Sequence, residues 1–194
     1  LSIAAQENSV VIIGGSTPFP ATDGRVTNTC LVFDESGQRI GRYDKIHLFD
    51  ASVSSSESYC ESRHIAPGET PLALSALDLM MGITICYDMR FPELYRTLSE
   101  RGAEVFTVPS AFTVPTGRAH WHVLLRCRAI ENLAWIIAPA QVGCHPGGRE
   151  TFGHSLIINP WGEVVAEQTE PTSGVVLADI DFQSVRDQRR HFPV

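Results

Sequence analysis

The sequence predicts an α/β fold of stacked sheets flanked by helices, and three observations predict it. Apolar runs such as VVIIGGS (10–16), AEVFTVPS (103–110) and WIIAPAQ (135–141) are continuous, the pattern of strands covered on both faces. Strand-like segments outnumber helix-like ones. Several of them pair about turn residues into hairpins, which a simple doubly wound sheet does not need.

Along the chain, LSIAAQENS reads as the last turns of a helix closing near Asn8, and the run 10–16 stops on paired glycines. TNTCLVFD (27–34) and RIGRYDKIHLF (39–49) are two strands about a tight turn at Gly37. Residues 50–70 form a polar loop too long for a mere connector, and such loops are usually functional. PLALSAL and LMMGITIC make the next pair of strands. A helix follows over 92–101, with Pro92 early and Gly102 at its end. GRAHWHVLLRCRAIENLA (117–134) is a helix apolar over much of its circumference, hence expected to be packed on two sides. HSLIINPWGEVVAEQ is a hairpin turning at Pro160, Trp161 and Gly162, and GVVLADID (174–181) supplies a last strand. With no repeat or linker, residues 1–194 read as a single domain.

Composition narrows the function. The 194 residues are 43% hydrophobic and 19% charged with a net charge of −7, a globular balance with no basic footprint for nucleic acid. The one basic cluster, Arg186 with Arg189 and Arg190, reads as a solvated helix face. No apolar run spans a bilayer and no signal-peptide pattern opens the chain, so no membrane partner is expected. Five cysteines without framework spacing indicate a reducing, cytoplasmic compartment, and the lack of a CxxC pair gives no metal site.

GITICYDMRF (82–91) carries the chemistry. The strand delivers Cys86 to the point where the chain leaves the sheet. A free cysteine is most often a small core hydrophobe, but a thiol at a strand end is also where a scaffold presents a nucleophile. Attack on an amide or nitrile carbon needs a cation or base to favour the thiolate, donors for the oxyanion and a proton for the leaving nitrogen. Lys45 ends a strand and Glu61 sits in the long loop. Alone, each reads as a surface charge; together they are a pair that must turn inward to matter.

In their order and spacing, GRYDKIHLFD, ESRHIAPGE, GITICYDMRFPELYR, PSAFTVPTGRAHWHVLLRCRAIEN, APAQVG and FGHSLIINPWGEVVAE resemble the nitrilase superfamily of carbon–nitrogen hydrolases, over nearly the whole chain. The resemblance is to its ω-amidase and deaminated-glutathione-amidase-like branch. It implies an α-β-β-α sandwich, lacking its first strand and helix in this chain, and a cofactor-free amidase acting on a small carboxylate-bearing ω-amide. Carried over, Cys86 is the nucleophile reached by a strained strand exit, Lys45 stabilises the tetrahedral intermediate and Glu61 orients that lysine. The backbone N–H of Tyr87 is the second oxyanion donor. The general-base glutamate is expected upstream of Leu1, so that this piece alone would be inactive. Relatives assemble as homodimers or larger homo-oligomers.

Phe112 and Thr113 follow a strand facing the same rim and are expected to line the pocket. Arg90 binds a substrate carboxylate or braces Glu93. Arg128 and Glu131 are a structural pair three apart on a helix. His120 and His122 point to different sides of that helix, and Cys144 with His145 is incidental. Nitrile and N-carbamoyl hydrolysis use the same residues as amide hydrolysis. Two further readings stay open: a Cys-His hydrolase with His47, His64 or His154 as base, and a non-catalytic interaction module that has lost its base.

Overall fold

The computed structural model describes residues 1–53 and 57–194. The part of the long polar loop at 54–56 lies outside the described residues.

The elements in chain order are α1 (Ser2–Asn8), β1 (Ile12–Ile13), β2 (Thr17–Pro20), β3 (Val26–Phe33), β4 (Arg39–Asp44), β5 (Asp50–Ser52), β6 (Ser58–Cys60), β7 (Leu72–Ala76), β8 (Leu79–Ile83), α2 (Pro92–Glu100), β9 (Val105–Thr107), α3 (Val114–Asn132), β10 (Trp135–Ala138), β11 (Val142–Cys144), β12 (Glu150–Phe152), β13 (Leu156–Ile158), β14 (Val164–Glu167) and α4 (Phe182–His191). In the first sheet β3 pairs with β1, β2 and β4, all antiparallel. The second sheet has the order β14-β13-β10-β9-β8-β7. Its centre, β8-β9-β10, is parallel, and antiparallel partners flank it.

Cores on both faces of that second sheet explain the continuous apolar runs 103–110 and 135–141, whereas the run 10–16 yields only the half-buried β1 of the first sheet, with Val10 43% exposed, and is not covered on both faces. Side chains alternate across a strand, so Ile83, Val105, Trp135 and Ile157 face Cys30, Val32 and Tyr43 of the first sheet. Phe106, Ile136 and Ile158 face Tyr95 and Leu98 of α2 and Trp121, Leu125 and Ala129 of α3. Two sheets therefore meet across one core, and helices cover the outer face of the larger one. On the first sheet, α1 touches the β3–β4 turn, where Ser2 Oγ donates to Gly37 O at 2.6 Å. No helix among the described residues is long and apolar enough to cross a membrane.

Three expectations need correction. Helix α3 begins three residues before Gly117 and is packed along one stripe, not two sides: Gly117, Trp121, Leu125, Ala129 and Asn132 are buried, while Val123 is 68% exposed. Spacing of four along a helix produces that stripe, and apolar residues off it simply face water. Residues 174–181 form no strand, and Val175 and Leu177 are each 81% exposed. Apolar content alone could not tell a strand from an extended surface segment.

The third correction concerns the basic cluster. Helix α4 is docked by its arginines rather than solvated by them. Asp181 caps its start by accepting from Ser184 N at 3.1 Å, and Val185 is buried in the inter-sheet core. Arg186 pairs with Glu104 at 2.6 Å, holding that carboxyl below its usual range. Arg189 donates to the carbonyls of Leu133, Ala103 and Asn132, and its burial lowers its own pKa. Those carbonyls lie at the C-terminal end of α3 and before β9, where backbone acceptors lack helical or sheet partners. Only Arg190 keeps the expected surface role.

Candidate active site

Strand β8 ends at Ile83, but the chain keeps a sheet-like bond as Thr84 N–H donates to Thr107 O at 3.1 Å. Cys86 N–H then donates to Pro109 O at 3.0 Å, and the backbone turns sharply, with Cys86 at φ 50°. A non-glycine residue in that left-handed region is strained by about 1–3 kcal/mol and persists only where its surroundings enforce it.

The enforcing group is Asp88, which is fully buried. Its carboxylate accepts from Ile85 N at 2.9 Å, His47 N at 3.0 Å, His47 Nδ1 at 2.8 Å and Tyr43 Oη at 2.7 Å. Burial, then the Asp88 charge, pushes the Tyr43 hydroxyl pKa up and keeps it a donor. A buried carboxylate is tolerable only when donors replace its water, and here donors from two segments do so. Sequence reasoning missed Asp88. Its signal was an acid two positions past the thiol in a stretch otherwise apolar enough to be buried.

Lys45 follows β4 and is held by its backbone, donating to Asn28 O and accepting from Gly68 N, each at 2.8 Å. A side chain at residue 68 would put its Cβ 2.0 Å from Asp44 O, so only glycine allows this approach. Lys45 is 2% exposed. Its Nζ meets Glu61 Oε2 at 2.5 Å, and the same oxygen accepts from Phe49 N at 2.6 Å. Glu61 opens a short 3₁₀ turn after β6, so the long polar loop does turn a carboxylate inward.

All seven residues singled out in the sequence, Lys45, Glu61, Cys86, Tyr87, Arg90, Phe112 and Thr113, line one cavity of about 840 Å³. The Arg90 guanidinium lies 5.6 Å from the Tyr87 ring centre and 5.5 Å from that of Phe112, and donates to His120 Nδ1 at 3.2 Å. Among the described residues it forms no ion pair with Glu93. Phe112 packs on Trp121, and Thr113 is the residue just before α3, its hydroxyl 2.8 Å from that of Thr116. Arg128 and Glu131 do pair, at 2.7 Å.

The histidines divide. His47 is bound to Asp88 and stacked on Phe91 at 3.7 Å, and neither it nor His64 lines the cavity. His154 does line it, but its Nδ1 donates to Glu167 Oε1 at 2.6 Å. His122 Nε2 donates to the same oxygen at 2.8 Å. Burial raises the Glu167 pKa, and these two bonds outweigh it, leaving the carboxyl below its usual range. Among the described residues, these three are the group whose donor atoms lie close enough to hold a metal ion. His120 and His122 do point to different sides of the helix, the first meeting Arg90 and the second Glu167. A second residue missed from sequence is Arg149, which reaches the cavity from the turn between β11 and β12.

Two packed sheets that carry a thiol, a buried lysine and its carboxylate into one cavity define an α-β-β-α hydrolase. The chain belongs to the carbon-nitrogen hydrolase family, whose sequence model matches residues 1–190, and it is an enzyme of C–N bond hydrolysis. It is 44% identical over 197 residues to a deaminated glutathione amidase of Synechocystis sp., covering 100% of this chain and 72% of that protein. An omega-amidase of Homo sapiens is 37% identical over 195 residues, covering 100% of this chain and 70% of its own length. The crystal structure of the C. elegans NitFhit protein superimposes with a TM-score of 0.91 at 35% identity, covering 99% of this chain and 47% of that one.

Proposed function

We propose that this enzyme is an amidase for small carboxylate-bearing amides of the deaminated-glutathione or 2-oxo-acid ω-amide type, working through a thioester on Cys86. The relatives named above support the substrate class. One observation carries the reading of the site: a lysine buried to 2% exposure, ion-paired with Glu61, shares a cavity with a thiol held at a left-handed backbone.

In the mechanism the Cys86 thiolate attacks the amide carbon. The oxyanion meets Lys45 Nζ and the Tyr87 N–H, fixed donors in a partly dry site. The C–N bond breaks and the nitrogen leaves protonated, as ammonia from a primary amide or as an amine from a substituted one. Water then hydrolyses the thioester. The proton transfers fall to a general-base glutamate that the resemblance implies. Glu61 pairs with Lys45 and aims it, and Arg90 receives a substrate carboxylate while Phe112 and Thr113 shape the wall. No cofactor takes part. In three of the other thiols ionisation is disfavoured: burial pushes Cys30 up to about 12 and raises Cys127, while a hydrogen bond to Glu150 raises Cys144. Residues 1–194 act as one domain, in a homodimer or larger homo-oligomer. Five free cysteines support a cytoplasmic setting.

The test is to quench turnover with acid and find the acyl group by mass spectrometry. It should sit on the peptide bearing Cys86. Turnover with an adduct on another cysteine, or with none, would overturn the assignment, and loss of the adduct on replacing His154 rather than Lys45 would favour a Cys-His hydrolase.

A further inference from the structure

The cavity holds a second arginine that the mechanism does not use. Arg149 sits on the short turn joining β11 to β12, closed by His145 N–H donating to Arg149 O at 2.8 Å. Its side chain is fixed from two directions. Nη2 donates to Ala111 O at 2.5 Å, and the guanidinium lies over the Tyr59 ring, 5.3 Å from its centre. The turn itself is tied to the cavity wall: Phe152 N–H donates to Phe112 O at 2.9 Å, and Thr113 bridges Thr151. Gly117 lets this approach happen, because a Cβ there would lie 2.2 Å from Phe152 Cγ.

Arg149 and Arg90 are thus anchored on neighbouring residues of one segment, Arg149 on the carbonyl of Ala111 and Arg90 on the ring of Phe112. Neither forms an ion pair among the described residues. The other cation of the cavity, Lys45, is committed to Glu61. Glu170, the remaining acid on the lining, forms no ion pair with either arginine. A guanidinium with one donor engaged keeps others for a carboxylate, which it matches as a fork.

We infer that Arg90 and Arg149 form a two-carboxylate subsite. Arg90 takes the carboxylate on the acyl side of the scissile amide, and Arg149 takes one on the leaving-amine side. This rests on the amidase reading above and refines it: the preferred substrate is an amide with an anionic group at both ends. Deaminated glutathione has that form, with a 2-oxo acid at one end and a glycine carboxylate at the other. A primary ω-amide of a 2-oxo dicarboxylic acid has only the first. Position on a solvent-facing turn suits this role, since the leaving amine must exit through the open side.

Steady-state kinetics of the complete enzyme, general base included, on both substrates tests it. In the parent, kcat/KM should favour deaminated glutathione over 2-oxoglutaramate. Arg149→Gln should reduce that preference about 10- to 100-fold, through KM rather than kcat, the worth of a charge-assisted pair. Arg149→Lys should restore part of it, whereas Arg90→Gln should weaken both substrates. An unaltered preference in Arg149→Gln, or an equal loss on both substrates, overturns the inference. Turnover of 2-oxoglutaramate alone by the parent also overturns it and leaves the amidase reading standing. Turnover of neither substrate removes both.

Discussion

The two sides of the cavity are built on different principles. On one side Lys45 and, behind the lining, Asp88 are nearly or wholly buried; Lys45 is ion-paired with Glu61 and Asp88 is satisfied by hydrogen-bond donors within the protein. On the other, Arg149 stands on an exposed turn, held by one carbonyl and one aromatic face. The buried side can aim donors at a reacting atom without reorganisation, which catalysis requires. The exposed side can change its residues at small cost to the fold, which suits selection among substrates.

The sharpest way to break this contrast is Lys45→Met. It keeps the length and removes the charge, so kcat should fall about 10²- to 10³-fold with the fold retained. Circular dichroism and turnover on one preparation check it, and activity within a few-fold of the parent would deny the buried side its electrostatic role. Asp88→Asn comes next. It sets an amide N–H₂ against donors that need an acceptor, so stability should drop by about 3 kcal/mol in urea unfolding. Turnover should fall further than unfolding accounts for, because the Cys86 turn loses its brace. A neutral result in both would mean the strained exit needs no support.

Glu61→Gln is the mildest test. It leaves an acceptor for Phe49 N–H while removing the countercharge of Lys45. Without that countercharge the lysine is no longer held in one place. Turnover should fall at least about tenfold while the melting midpoint moves by a few degrees at most. A fall in stability with little change in turnover would make Glu61 a structural brace instead.

The same contrast explains what was legible in the sequence. Cys86 stood at a strand end, where a thiol on a rigid scaffold raises the question of a nucleophile. Lys45 and Glu61 became legible only through their place in a specific order of motifs. Asp88 was hidden because its partners, Tyr43 and His47, are distant in sequence and leave no spacing to read. Arg149 was hidden for the opposite reason: an exposed arginine on a glycine-rich turn looks like any surface charge. The misread elements share one cause. Both the second buried side of α3 and the strand over 174–181 were inferred from apolar content, and apolar content does not report which neighbours arrive to cover it. The arginines of α4 were misread likewise, since backbone carbonyls left open elsewhere in the fold cannot be seen in a charge pattern.

The Asp88 carboxylate also has a consequence for when the thiol becomes functional. Its donors include the Tyr43 hydroxyl and two groups of His47, 45 and 41 residues away in the chain. Until β4 and the residues after it dock beside the second sheet, a buried charge at position 88 has only the local Ile85 N–H to meet it. Closing such a distant contact is among the later rewards of folding. The turn at Cys86 therefore locks only once both sheets are assembled, and a half-folded chain does not present an organised nucleophile to the surrounding metabolites.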